Sequence, residues 1–260
     1  MKKKWEKLLF SLCDGAGKVL MRYYGKTHDI RRKPGAGIVT EADGAAERFL
    51  LKSIFRDYPQ SSIITEETGE YEGSELLWVI DPLDGTSNYA HGFPWFAVSI
   101  GIYEGDKALA GAVYHPVTKE FFFAESGKGA FLNGKRIRVS KCKSLRDSLL
   151  GTGFYYSKDS QLKNEIRIFH RMNQLAHAVR RPGSAALDLA CVAAGRFDAF
   201  WERGLSPWDV AAGMLLVKEA GGKLSDYKGK ETGIFDRELV ASNGVLHRPM
   251  VEVIRRSDRI

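Results

Sequence analysis

Apolar residues recur at helical spacing near the start of the chain. Trp5, Leu8, Leu9, Leu12, Ala16, Val19 and Leu20 fall on one face, which predicts a packing helix over residues 4–24. The spacing returns over residues 41–57, where Thr40 or Asp43 can serve near the N-terminus. Between the two, residues 31–37 open with Arg31-Arg32-Lys33 and read as a mobile basic loop. The period then changes. Leu76-Leu77-Trp78-Val79-Ile80 is apolar without alternation, the pattern of a strand buried on both faces. Pro82 lacks a backbone donor and predicts that pairing stops there. Strand signals follow over 96–103, 108–114, 121–124 and 130–132. They are punctuated by Glu104-Gly105-Asp106, His115-Pro116, Ser126-Gly127 and Asn133-Gly134, so an antiparallel meander is expected.

From about residue 145 strands and helices alternate. A short strand opens at Leu149-Leu150 and a helix is expected over 160–177. A second helix over 184–194 is closed by Gly195. A strand over 197–201 precedes a helix that Ser206 can cap, with Pro207 at its first position, running through Ala220. A strand over 239–242 and a terminal helix complete the pattern. The expectation is an α+β half over 1–145 and an α/β half over 146–260, closely packed as layered sheets and helices with the site between them.

At 260 residues, 44% hydrophobic with 27 glycines, the composition is that of a globular enzyme able to bury a sizeable core. The formal net charge of +7, from 39 basic and 32 acidic residues, favours phosphorylated molecules or nucleic acid as partners. No aromatic-interleaved basic stripe or nucleic-acid motif accompanies it. Cys13, Cys142 and Cys191 form neither a CxxC pair nor a disulfide framework, which points to a reducing cytoplasm. The N-terminus mimics a short signal peptide, but Asp14 interrupts its apolar run and no small-residue cleavage site follows. No segment approaches transmembrane length, so no membrane partner is expected.

The chemistry concentrates where the apolar run at 76–80 ends, in Asp81-Pro82-Leu83-Asp84-Gly85-Thr86-Ser87-Asn88. Two carboxylates held that close repel each other unless a proton or a cation intervenes. Oxygen ligands suit a hard ion such as Mg²⁺. Gly85 permits close backbone approach, and the amides after it can cradle an anion. The same residues also read as Asp-Pro and Asp-Gly turns. Glu66-Glu67 follows Ile63-Ile64 as a further acidic pair, or as a solvated turn. Asp43 and Asp209 each fall in the first turn of an expected helix, where the helix dipole alone accounts for an acid. His91, His115, His170 and His177 have no metal-like spacing and are read as surface or packing residues.

Taken together, these motifs resemble the inositol monophosphatase family of magnesium-dependent, lithium-sensitive phosphatases. Asp81 through Asn88 resembles the first signature of that family. Trp208-Asp209-Val210-Ala211-Ala212-Gly213, followed by Glu219-Ala220-Gly221-Gly222, resembles the second. Glu66-Glu67 and Val39-Thr40-Glu41-Ala42-Asp43 match the shorter upstream motifs, in the family's order. Arg180-Arg181-Pro182-Gly183-Ser184-Ala185-Ala186-Leu187-Asp188 is similar to the bacterial branch. Thr65 stands where Gly is usual, Tyr89 where Phe is typical, and the segment between Glu67 and Trp78 is short.

The resemblance implies a layered α-β-α-β-α sandwich of the sugar phosphatase type. It implies that Glu66, Asp81 and the carbonyl of Leu83 bind one Mg²⁺, and that Asp81, Asp84 and Asp209 bind a second. Glu66 would help hold a third through water, and Li⁺ would inhibit. A water activated with help from Glu66 and Thr86 would attack phosphorus in line, with Asp43 assisting Thr86 and no covalent phosphoenzyme. Gly85 and Thr86 would hold phosphate oxygens. Asp84, Gly183, Ser184, Ala185, Glu202 and Asp209 would contact the rest of the substrate, and Arg180 or Arg181 would reach a second phosphate or a dimer contact. The substrate would be inositol 1-phosphate or a related polyol or sugar phosphate. Alternatives are fructose 1,6-bisphosphate and, further off, a 3′-phosphorylated nucleotide or histidinol phosphate. A homodimer is implied, as is a possible partnership in ribosomal RNA transcription complexes.

Overall fold

A computed structural model of the protein describes residues 4–26, 31–33, 37–154 and 160–258. The outermost layer is a helix pair, α1 (Lys4–Tyr23) and α2 (Glu41–Asp57). Two short strands, β1 (Arg31–Lys33) and β2 (Gly37–Val39), pair antiparallel between them. The helices cover one face of an eight-stranded sheet. Its strands are β3 (Ser62–Thr65), β4 (Gly69–Tyr71), β5 (Leu77–Asp84), β6 (Ala97–Glu104), β7 (Lys107–His115), β8 (Glu120–Glu125), β9 (Gly129–Leu132) and β10 (Lys135–Ile137). The spatial order is β10-β9-β8-β7-β6-β5-β3-β4, so the second hairpin-connected stretch is a simple meander. Among the described residues of this sheet only β3 and β5 pair parallel.

Alternation along the strands divides the side chains between two cores. Trp78, Ile80, Val98, Ile100 and Ile102 pack with Leu9, Leu12, Leu50 and Ile54 of α1 and α2. Val79, Ala97, Tyr103 and Val113 face the opposite way. There they meet the middle layer, α5 (Ala185–Ala193) and α6 (Pro207–Glu219). Because α5 and α6 are covered on both sides, every residue of α5 is buried and its sequence is almost wholly apolar.

The other side of the middle layer is a five-stranded sheet in the order β12-β11-β13-β15-β14. It comprises β11 (Leu149–Thr152), β12 (Ala178–Arg180), β13 (Ala199–Arg203), β14 (Lys223–Ser225) and β15 (Glu238–Ser242). Its outer face is closed by α4 (Ser160–Leu175) and α7 (His247–Ser257), around Leu150, Ile168, Trp201, Val240 and Met250. One short helix, α3 (Thr86–Ala90), directly follows β5. The layers thus run helix, sheet, helix, sheet, helix, as expected.

Four expectations change. Pairing does not stop at Pro82: β5 continues to Asp84, with a register shift between Asp81 and Asp84 that absorbs the missing donor. Residues 31–33 and 37–39 are paired strands rather than a loop, and residues 34–36 lie outside the described residues. The helix from 160 ends at Leu175, and the strand expected from 197 begins at Ala199. No helix among the described residues is long and apolar enough to cross a membrane, and Cys13, Cys142 and Cys191 are free thiols.

Candidate active site

Strand ends and helix starts converge on one cleft. Thr65 lies opposite Ile80 in the parallel β3–β5 pair, so Glu66, just past the end of β3, comes beside Asp81 of β5. Val79 faces the middle layer, and the same alternation turns Asp81 toward it. Its Oδ1 accepts from the backbone N–H of Leu83 at 2.9 Å, curling the chain through the Pro82 irregularity. Asp84 then meets the start of α5. Its Oδ2 accepts from the Ser184 hydroxyl at 2.6 Å and the Ala186 N–H at 2.8 Å. Asp209 arrives on the first turn of α6, where its Oδ2 accepts from the Ser206 N–H at 2.7 Å. One oxygen each from Asp81, Asp84 and Asp209 lies within 4.8 Å of the others.

Asp43 plays two parts. Its Oδ2 accepts from the N–H and hydroxyl of Thr40, at 2.8 and 2.6 Å, closing the first turn of α2. Its Oδ1 lies 3.1 Å from the Thr86 hydroxyl, which is also 3.0 Å from the Leu83 carbonyl. A hydroxyl has one proton and two lone pairs, so Thr86 donates to one of these acceptors and turns lone pairs outward. Gly85 makes the bend into α3 with φ +90°. A Cβ there would sit 2.9 Å from the Trp95 carbonyl oxygen, so glycine is required.

The cleft has a volume of about 280 Å³. Glu66, Asp81, Leu83, Asp84, Gly85, Thr86 and Asp209 line it, together with Gly183, Ser184, Ala185 and Glu202. Asp43 stands behind Thr86. Arg181 also lines the cleft, with its guanidinium over the Phe154 ring, whereas Arg180 donates to the Val179 carbonyl. The two halves of the chain are stitched at the cleft by Asn88, whose Nδ2 donates to the carbonyls of Trp95 and Pro182, both at 2.8 Å.

Burial dominates the electrostatics. It pushes the Asp81 and Asp209 carboxyls well above the usual range. Glu66 and Asp84 raise Asp81 further, and Asp84 is the leading neighbour for Asp209. Asp84 rises only to about 6, because Ser184 and the Ala186 amide stabilise its charge. Asp43 also rises to about 6 by burial, against the donors from Thr40. Among the described residues no ion pair involves Asp81, Asp84 or Asp209. An all-oxygen set that no ion pair neutralises is the donor chemistry of a hard divalent ion.

Two carboxylates here carry no role in the reading of the sequence. Glu47 is buried on α2 and accepts from the Thr65 hydroxyl at 2.7 Å and from the Glu67 and Thr68 N–H groups. It thereby anchors the loop that carries Glu66. Its signal was available: Asp43, Glu47, Leu50 and Ile54 share one helical face, so a carboxylate sits on a buried stripe. Asp188 of α5 is the second, a buried acid lining the cleft.

The sequence matches the model of the inositol monophosphatase family over residues 1–259. It is 46% identical over 233 residues to "Nus factor SuhB" of Pseudomonas aeruginosa, spanning 87% of this chain and 86% of that protein. It is 40% identical over 239 residues to "Fructose-1,6-bisphosphatase/inositol-1-monophosphatase" of Thermotoga maritima, spanning 92% and 91%. The fold superposes on the extragenic suppressor protein suhB of Bartonella henselae with a TM-score of 0.93, at 35% identity over 96% of this chain and 98% of that one. An acidic cluster between strand ends and helix starts, on this fold and with these relatives, has one reading: the chain belongs to the inositol monophosphatase family and is a phosphatase.

Proposed function

We propose that this phosphatase hydrolyses monophosphate esters of small polyols, inositol 1-phosphate foremost, with magnesium at the acidic cluster. The convergence of oxygens from Asp81, Asp84 and Asp209 within 4.8 Å carries the reading. Glu66, Asp81 and the Leu83 carbonyl would hold one ion and Asp81, Asp84 and Asp209 a second, with Glu66 helping to hold a third through water. Bound there, Mg²⁺ would neutralise phosphoryl charge and make a nearby water more acidic. Glu66 and the Thr86 hydroxyl orient the attacking water, Thr86 by accepting a hydrogen bond from it, and the Glu66 carboxylate receives its proton. Asp43 keeps Thr86 in the required rotamer through the 3.1 Å contact. The N–H groups of Gly85 and Thr86 bind phosphate oxygens. On the alcohol side Asp84, Asp209, Glu202 and the backbone of Gly183, Ser184 and Ala185 orient the leaving group, whose hydroxyls donate to the carboxylates.

Phosphate release from a panel of esters, with Mg²⁺ and with or without Li⁺, tests this directly. The expected result is magnesium-dependent turnover of inositol 1-phosphate that Li⁺ suppresses; no release from any ester would reject it. The Thermotoga maritima relative supports fructose 1,6-bisphosphate as the alternative substrate for the same panel.

Relatives named "Nus factor SuhB" support a second role, as a protein partner in ribosomal RNA transcription complexes. Equal capture of RNA polymerase and elongation factors by wild type and Asp84→Asn would support it, and no capture by either would remove it. A homodimer, measured by light scattering, and a reducing cytoplasm consistent with the three free thiols complete the proposal.

A further inference from the structure

We propose that Asp188 is a second hydroxyl acceptor on the alcohol side of the cleft, acting beside Glu202 to select esters of alcohols that bear several free hydroxyls. The inference rests on the phosphatase reading and specifies its substrate class. Asp188 is 1% exposed and lines the cleft, and no well-formed hydrogen bond holds its Oδ1. A buried carboxylate oxygen without a well-formed hydrogen bond is destabilising. The neighbouring positions on α5, Leu187, Leu189, Ala190 and Cys191, are all apolar and buried, so packing alone would place an apolar residue at 188.

The surroundings make the ligand class specific. Glu202 and Asp84 are the acids that act on Asp188, with Arg181 the cation that offsets them. Glu202 packs against bare backbone, since a Cβ on Gly153 would come within 2.1 Å of its Oε2. Two carboxylates facing one space accept hydrogen bonds and repel anions, which fits hydroxyl groups in the leaving alcohol. The Trp95 indole N–H, which also lacks a well-formed hydrogen bond, acts on Asp188 as a hydrogen-bond donor and favours the ionised carboxylate. Holding Trp95 is therefore the competing role, and it is a structural one.

Steady-state kinetics with Mg²⁺ on inositol 1-phosphate and on p-nitrophenyl phosphate, whose ring offers no hydroxyls, separates the two. A buried hydrogen bond to a charged group is worth about 1.5–3 kcal/mol, so Asp188→Ala should raise KM for the inositol ester roughly 10- to 100-fold. It should leave kcat/KM on the aryl ester within about twofold, which also certifies folding. The near-isosteric Asp188→Asn should fall between, and Trp95→Phe should leave the ratio of the two substrates unchanged. Equal losses on both esters with Asp188→Asn, or loss of inositol preference in Trp95→Phe, would overturn the proposal. Wild-type protein inactive on both esters would defeat the phosphatase reading itself and this inference with it.

Discussion

Asp43 and Asp209 show why a single residue can satisfy two explanations. Each was readable as a helix-dipole acid, and each does close its helix, through Thr40 and Ser206 respectively. The second oxygen is what remains for the site. Asp84 is held differently, by a hydroxyl and an amide from the other half of the chain. Asp84→Asn keeps one acceptor there and loses the charge. It should lower kcat/KM by about 10²–10³-fold with Tm unchanged within a few degrees, checked by phosphate release and calorimetry. Gly153→Ala should drive the Glu202 carboxylate from its place, because the new methyl would stand 2.1–2.2 Å from it. The expected result is a raised KM for inositol 1-phosphate with little change on an aryl ester. The acidic cluster was legible because its acids are close in sequence or stand beside Gly, Thr and Pro. A part for Glu47 or Asp188 was not, because they sit inside helical stripes whose other members are core.

Elements with many neighbours were legible, and elements defined by pairing alone were not. Helix α2 and the meander strands lie within a residue or so of the positions their patterning predicts. β10, β12 and β14 are three residues long, and nothing in Lys135–Ile137 or Lys223–Ser225 marks a strand until a partner lies beside it. Pro82 misled for a physical reason: a register shift accommodates the missing donor, and the chain stays in the sheet. At the start of α7, buried His247 bonds Ser242 through Nδ1 at 3.0 Å and Ser225 through Nε2 at 2.9 Å. Burial pushes its pKa down to about 4, so the folded state binds its proton more weakly than the unfolded chain. Its contribution is present above the ordinary histidine range and fades as pH falls toward 4. Between pH 7.5 and 4.5 the wild type should therefore lose more stability than His247→Gln, by a margin of order 2 kcal/mol. Parallel pH-dependent thermal melts check this, and equal losses would contradict it.

At the scale of the molecule, three cores stack through five layers, and the middle helices α5 and α6 belong to both sheets. That sharing fixes Asp209 against Asp81 and Asp84, which come from opposite halves of the sequence. The outer layer is pinned from behind by Arg203, which pairs with Asp258 at 2.6 Å and Glu238 at 2.9 Å and stacks on Tyr227. Arg203→Met removes the cation and strands these acids with buried Glu165, so it should cost about 3–5 kcal/mol in chemical denaturation. Layer order was legible from the change of period near residue 145. What holds Asp84 in place was not, because its contact with Ser184 spans a hundred positions.

The central claim is that oxygens from both halves assemble one cation-dependent phosphatase site. Phosphate release from inositol 1-phosphate, titrated with Mg²⁺ for wild type and Asp209→Asn, tests it most directly. The account predicts saturable magnesium activation in the wild type, with much lower turnover and a half-saturation point moved to higher Mg²⁺ in the variant. Magnesium-independent turnover, or superimposable curves for the two proteins, would contradict it.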